Sequence, residues 1–383
     1  MPTPDGPKWA ERAAAMETAV VGRQLRRLWA IPATRLGVVA WPPTLSQRLF
    51  WRWHYWWQAH LLDCLTDAEI RSPDARRRAQ ARSLIRGHWL RNGGRWGNNY
   101  YDDIAWWALA LQRAAPLIGP GRRFSRAADK AVKALSARLD AAWDDAAGGG
   151  IPWRRGDVFH NTPANGPAAI LLARTGFLPR AAAIADWIDS RLLIADTGLI
   201  ADGLLPAPET AEDQRGYRVD DTVYTYCQGV VLGAELELVS RNDAAPERIH
   251  RLVDAVATEL ATDNVIRSDG GGNGGLFPGI LVRYLTDVAI ELPVRSPADE
   301  RCTATARELV LASARACWAG AAQAPHGPLV SADWAKPTTV PRRGGTGKVR
   351  GNAMVAASVE PQRDLSVQLS GWMLMESAAR LTR

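Results

Sequence analysis

The 383-residue chain predicts an all-α fold, an (α/α)6 barrel of six inner and six outer helices forming a single domain over 1–383. Three observations lead there. Ala, Leu and Arg recur at helical spacing between breaks of Gly, Pro and Asn. Almost no stretch shows the period-two, β-branched alternation of a strand. The helical segments also fall into two kinds, charged along one face or apolar nearly all round, as an exposed and a buried layer require.

In chain order, helices are expected at 8–28, 45–66, 74–91, 102–115, 122–145, 161–175, 178–193, 222–239, 245–262, 277–290, 299–318 and 365–382. The first follows a polar N-terminus and carries Glu11 and Glu17 on its wet face. Segments 74–91, 122–145 and 245–262 are studded with Arg, Asp and Glu on one side and read as outer helices. Those opening at 102, 161, 222 and 277 are richer in Ala, Gly, Leu and Val, each after a polar, aromatic or glycine-rich loop, and read as inner ones. An open helical solenoid with repeats of about 40 residues is the competing architecture, but no fixed-period motif runs through the chain, which favours a closed ring. Residues 319–363 carry little helical signal, with Pro325, Pro328, Pro337 and Pro341, and are expected to form a lid or a surface excursion. The run from Gly344 to Lys348 lacks the GxxxxGK[ST] spacing and a preceding strand, so it is not a phosphate loop.

Composition narrows the class. Apolar residues make up 47% and charged residues 23%, enough for a large core and unlike a disordered chain. Seventeen Trp exceed ordinary core needs, and many lie near Gly, Asn or Asp. The net charge is +7, but the basic residues are scattered along polar helix faces, so no nucleic-acid partner is expected. Cys64, Cys227, Cys302 and Cys317 show neither a CxxC pair nor a framework spacing; they read as buried thiols in a reducing compartment, with no metal and no cofactor. The N-terminus lacks a basic segment followed by an apolar run, and nowhere do 18 apolar residues follow one another. The expectation is a cytoplasmic protein without a membrane span.

The chemistry is expected in the tract Asn98-Asn99-Tyr100-Tyr101-Asp102-Asp103-Ile104-Ala105-Trp106-Trp107. Two adjacent carboxylates among rings suit a sugar, which offers hydroxyls for hydrogen bonds and a C–H face for stacking. Adjacent helical residues diverge by about 100°, yet at a first turn they can flank one bond, and a retaining glycosidase needs its two carboxyls only about 5–5.5 Å apart. A second reading fits the same residues: Asp102 as an N-cap at the positive end of the helix. Asp144-Asp145, before Gly148-Gly149-Gly150, and Asp220-Asp221, before Tyr224, Tyr226 and Gln228, are rival pairs with fewer rings around them.

Beyond that tract, ordered blocks resemble glycoside hydrolase family 76, the α-1,6-mannanases with an (α/α)6 barrel. Residues 101–110 resemble its catalytic helix and Trp56-Trp57-Gln58-Ala59-His60 its first inner helix. Later blocks follow in the same order: Gly148 to Trp153, Asn161 to Gly166, Gly198 to Gly203, Tyr224 to Gly229 and Phe277 to Tyr284. The resemblance implies a retaining mechanism with Asp102 as nucleophile and Asp103 as acid/base, acting on an α-mannan, a mannooligosaccharide or a lipid-linked mannan backbone, in an endo fashion. It implies substrate contacts from Gln58, Asn99, Tyr101, Trp153, Asn161, Asn165, Asp202, Tyr226 and Gln228. Helix capping is an alternative role for Asn161, Asn165, Asp202 and Gln228, and core packing for Trp153. The glycines from Gly270 to Gly275 let backbone approach a ligand or form a turn, and Arg283, well inside its helix, reads as a structural ion pair ahead of a substrate contact. His160-Asn161 and Tyr226-Cys227-Gln228-Gly229 depart from the family's usual Lys-Asn and Tyr-Asn-Gln-Gly. Two other functions share the barrel: a sugar 2-epimerase using His54, His60, His88 or His160 as acid and base, and a mannoside-binding protein without turnover.

Overall fold

The computed structural model describes residues 6–118, 122–207, 216–342 and 358–383. Thirteen α-helices follow in chain order among them: α1 (Gly6–Gln24), α2 (Leu45–Arg48), α3 (Tyr55–Arg71), α4 (Ala75–Arg91), α5 (Tyr101–Ile118), α6 (Arg122–Asp140), α7 (Thr162–Arg174), α8 (Leu178–Leu192), α9 (Thr225–Leu238), α10 (Ala245–Glu259), α11 (Phe277–Glu291), α12 (Pro297–Ala319) and α13 (Leu365–Leu381). Helices α3, α5, α7, α9, α11 and α13 each pack on the next, and α13 returns to α3, closing the ring. Helices α1, α4, α6, α8, α10 and α12 pack outside it. The predicted (α/α)6 barrel is therefore the observed fold.

Burial follows the two sequence types. Every residue of α9 from Thr225 to Glu235 is buried, whereas α10 buries mainly Ile249, Leu252, Val253 and Val256 on one stripe. Inner helices approach closely where Gly permits: a Cβ on Gly229 of α9 would stand 2.7 Å from the Leu281 Cα of α11. Charged residues inside the ring form ion pairs. Arg283 donates to Asp67 Oδ2 at 2.7 Å and Arg113 to Asp67 Oδ1 at 2.5 Å, and Arg113 also bridges to Asp63. Burial alone would raise the Asp67 pKa, but the two guanidinium groups hold it well below the carboxylate range.

Two expectations need correction. The predicted helix 45–66 is two helices, α2 and α3, because Phe50 and His54 adopt positive φ (57° and 43°) that no helix tolerates. The barrel also carries short strands: a three-stranded sheet formed by 160–161, 203–206 and 217–220, and hairpins pairing 25–26 with 36–37, 193–194 with 199–200, 261–262 with 265–266 and 322–324 with 327–329. Strands of two to four residues are too short to show alternation in sequence.

Part of the irregular stretch 319–363 is built onto α1. Arg23 donates to the carbonyls of Pro325, Gly327 and Pro328, and Trp334 is buried. Residues 343–357, which include the whole Gly344–Lys348 run, lie outside the described residues.

One arrangement recurs around the ring. The fourth residue of four inner helices is an amide: Gln58 in α3, Asn165 in α7, Gln228 in α9 and Gln368 in α13. Each side chain accepts the N–H and donates to the C=O of a single residue in the strand or loop packed beside it, respectively Gly37, Ile151, Ile200 and Val330, at 2.7–3.2 Å. Each also donates to a carbonyl at its own helix's start, Trp53, Asn161, Tyr224 or Gln362. The amide is thus fully satisfied, and the segment beside it is fixed in register. In α5 and α11 the same position is Ile104 and Ile280.

Candidate active site

The N-terminal ends of the inner helices converge on a cavity of about 260 Å³. Helix α5 supplies Asp102, Asp103 and Trp106, with Tyr100 just before it. Trp56 comes from α3, Asn161 and Pro163 from the start of α7, Tyr224 and Tyr226 from α9, and Asn273 and Phe277 from the start of α11. Trp153 and Asp202 enter on loops.

Strand-like pairing sets the position of Trp153. Its N–H donates to Phe159 O at 2.7 Å, and its carbonyl accepts the Tyr101 N–H at 2.9 Å. The turn before it is made by Gly148, Gly149 and Gly150, all with positive φ, and the Asn165 amide grips Ile151. These restraints aim the Trp153 indole N–H at Asp102 Oδ2, 3.1 Å away.

The two acids stand in different surroundings. Asp102 also accepts the Asp103 N–H on Oδ1 at 2.8 Å. Burial raises its pKa, while the indole and backbone N–H bonds favour the ionised form and limit the rise. Asp103 Oδ2 accepts one bond, from Asn98 Nδ2 at 2.5 Å. Burial and then the neighbouring Asp102 charge push the Asp103 pKa well above the ordinary range. Both carboxyls are shifted upward, and Asp102, with two N–H donors, ionises more readily than Asp103. Across the cavity Asp202, buried and bonded by the Cys227 thiol at 3.8 Å, is pushed up to about 7 by burial and then by the Asp220 charge.

Rings form the apolar side. Tyr226 stacks on Phe277 with centroids 3.9 Å apart, and Tyr224 meets the same ring edge-on at 5.2 Å. Trp56 lies 6.2 Å from Phe277.

Of the residues expected in the site, Asp102, Asp103, Trp153, Asn161, Asp202 and Tyr226 line the cavity. Asn161 also caps α7 through its Oδ1, so capping and cavity lining coincide in one side chain. Five expectations are corrected. Gln58, Asn165 and Gln228 are fully buried, and their amides are spent on backbone groups, leaving nothing for a ligand. Asn99 is exposed and contributes its carbonyl to Arg155 N–H, and Tyr101 is buried beneath Arg138. Their neighbours Asn98 and Tyr100 take the expected places, because the chain pairs as a strand up to Tyr100 and side chains alternate there. Sequence reasoning also missed Trp56, Trp106 and Asn273 as lining residues; only their position at helix starts, beside the aromatic run or the glycine-rich loop, signalled them.

The rival acids have other tasks. Asp144 bonds His160 Nε2 at 3.1 Å, and Asp220 sits in a strand and accepts the Thr222 hydroxyl at 2.7 Å. Arg283 makes its structural ion pair with Asp67. None of His54, His60, His88 and His160 lines the cavity; His60 lies under Trp106 and His88 stacks on Trp107. The epimerase reading therefore has no imidazole at the sugar-sized space.

A ring of inner helices with paired carboxyls among aromatic rings at its open end defines a carbohydrate-active helical-barrel enzyme. The chain belongs to glycosyl hydrolase family 76, whose family model matches residues 32–362, and is a glycosidase. Among solved structures it is similar to the GH76A α-1,6-mannanase from Salegentibacter sp. HEL1_6, with 25% identity, a TM-score of 0.77, and coverage of 97% of this chain and 99% of that one. An inactive variant of that enzyme, with two consecutive aspartates replaced by asparagine, was solved with α-1,6-mannotriose. The Lin0763 protein from Listeria innocua is similar to the same degree, with 25% identity, a TM-score of 0.77 and 97% coverage of both chains. The family 76 mannosidase Bt3792 from Bacteroides thetaiotaomicron VPI-5482 shares the fold at 16% identity, a TM-score of 0.71 and 98% coverage of both. The comparison with curated proteins returns no match.

Proposed function

We propose that the chain is a retaining α-1,6-mannanase, acting endo on a mannan, a mannooligosaccharide or a lipid-linked mannan backbone. The observation that carries this reading is the unequal treatment of two adjacent carboxyls: Asp102 with two N–H donors and Asp103 with one, beside a negative neighbour. Asp102 attacks the anomeric carbon while Asp103 gives its proton to the departing glycosidic oxygen. A mannosyl ester on Asp102 results, and Asp103, now a carboxylate, takes a proton from the water that releases it. Trp153 orients the Asp102 carboxylate, Asn161 and Asp202 offer polar partners to ring hydroxyls, and Tyr226 and Trp56 offer faces for C–H stacking. The mannotriose complex of the Salegentibacter enzyme supports the choice of sugar. Four buried, unpaired cysteines fit the cytoplasm as the compartment.

Incubation with α-1,6-mannotetraose, followed by NMR, tests the reading. Shorter products released first as the α anomer are expected. A first-formed β anomer overturns retention, and an unchanged oligosaccharide overturns the mannanase. Asp102→Asn and Asp103→Asn are expected to abolish turnover while keeping the fold.

A further inference from the structure

Two stretches of the chain contain neither Asp nor Glu. Residues 18–62 carry Arg23, Arg26, Arg27, Arg35, Arg48 and Arg52, and residues 75–101 carry seven further arginines. Scattered in sequence, part of this charge gathers in the fold. The Arg35 N–H donates to Ser83 O at 2.8 Å, and Arg91 Nε donates to Phe50 O at 3.0 Å, joining the 25–37 hairpin, the loop around α2 and the C-terminal half of α4 in one surface.

Large apolar side chains stand out from that surface. Leu45 is 73% exposed, Trp51 70% and Trp29 50%, with Leu49 and Trp89 less so. They are held outward by structure: the Trp29 indole donates to Leu49 O at 2.7 Å, and the Arg91 guanidinium lies 5.7 Å from the Trp29 ring and 5.3 Å from Trp53. Arg26, Arg27, Arg48 and Arg52 lie on the same segments, exposed and without a carboxylate partner among the described residues, and Arg26 feels the charge of Arg48. Burial and then the like charges of Arg35 and Arg48 lower the Arg26 pKa, as expected where positive charge is crowded and uncompensated. The contrast lies on the same helix: Arg77 and Arg78 at the start of α4 are paired with Glu17 and Glu69.

The patch borders the cleft. Its loop leads into α3, whose second residue, Trp56, lines the cavity, and Tyr55 donates its hydroxyl to the Trp96 carbonyl shortly before Asn98 and Tyr100.

We propose that this surface docks peripherally on an anionic phospholipid bilayer, with Trp29, Leu45, Leu49 and Trp51 entering the interfacial region and Arg26, Arg48 and Arg52 meeting lipid phosphates. Charge complementarity and Trp at the headgroup level favour that occupant. Leu45 and Leu49 at the tip favour it over a nucleic acid, since aliphatic side chains give a base nothing to stack on but enter acyl chains readily. No helix among the described residues is long and apolar enough to cross a membrane, so the contact is a surface one. The docking goes beyond the mannanase reading and does not depend on it.

Co-sedimentation of the full chain with phosphatidylcholine vesicles, with and without phosphatidylglycerol, tests the proposal. Binding only to the anionic vesicles, weakened by salt, is expected. Arg48→Glu with Arg52→Glu should lower the partition on the order of tenfold or more. Leu45→Ser with Trp51→Ser should lower it too while leaving the salt dependence. Both pairs are exposed, so melting temperature and hydrolysis of a short mannooligosaccharide should stay at the wild-type level. Equal binding to both vesicle types, undiminished binding by the charge-reversed pair, or displacement from vesicles by an equimolar single-stranded oligonucleotide overturns it. Loss of hydrolysis by the wild type would instead count against the mannanase reading alone.

Discussion

Trp153 and Asp102 meet at 3.1 Å through an indole N–H and a carboxylate oxygen, 51 residues apart in the chain. A ring expected to stack on sugar is also a hydrogen-bond donor that favours the ionised form of the proposed nucleophile. The two tasks separate by substitution.

Trp153→Phe keeps a ring and removes the donor. Loss of a bond that favours the anion raises the Asp102 pKa further, so the acidic limb of the pH profile of kcat/KM moves to higher pH, by about one unit or more if the bond contributes about 1.5–3 kcal/mol. An unmoved acidic limb would show that the indole acts only by stacking.

Asn98→Ala removes the one donor to Asp103. That bond also favours the carboxylate, so its loss raises the Asp103 pKa and shifts the alkaline limb upward, because the acid stays protonated to higher pH. Tyr100 N–H loses its Asn98 partner in the same variant, at a cost of roughly 1 kcal/mol in urea unfolding.

Asp202→Asn should stabilise the fold at neutral pH. The folded-state pKa of about 7 lies above the ordinary 3.8, so the native state holds the proton longer than the unfolded chain does, and Asp202 weakens the fold as pH rises between those values. The melting-temperature gain of the variant is expected to be near zero below pH 4, to grow up to about pH 7 and then to level off. A gain independent of pH would place its cause elsewhere.

Gln228→Leu tests the amides at the fourth helical position. Buried backbone groups of Ile200 and Tyr224 lose their partners, which should cost about 2–5 kcal/mol in unfolding free energy. The KM for a mannooligosaccharide at a temperature where the variant is folded should be unchanged; a raised KM with intact stability would return Gln228 to the substrate.

Arg283→Met leaves Asp67 with one guanidinium inside the barrel and should cost about 3–5 kcal/mol, read by denaturant unfolding. Adding Asp67→Asn should recover part of it, since the uncompensated charge is then gone.

The helices were legible because each is long enough to show its period, and the paired acids because nothing else in the chain sets two carboxylates among so many rings. The site's edges were not. Asn98 and Tyr100 differ from Asn99 and Tyr101 only by strand pairing with Arg154, a contact across more than fifty residues that no local pattern carries. Gln58, Asn165 and Gln228 fall in the right blocks, yet a buried amide on backbone and an amide on a hydroxyl look alike in sequence. The break between α2 and α3 hid for a related reason: Phe50 does not announce a left-handed backbone, and a single histidine at positive φ is too weak a signal to place a break.

The four amide clasps have a consequence for how such a barrel diverges. They fix the segments bordering the cleft with side chains whose hydrogen bonds go to backbone, so the frame is written in other letters than the cavity lining. Residues between the clasps can therefore be exchanged without loosening the backbone that the clasps hold.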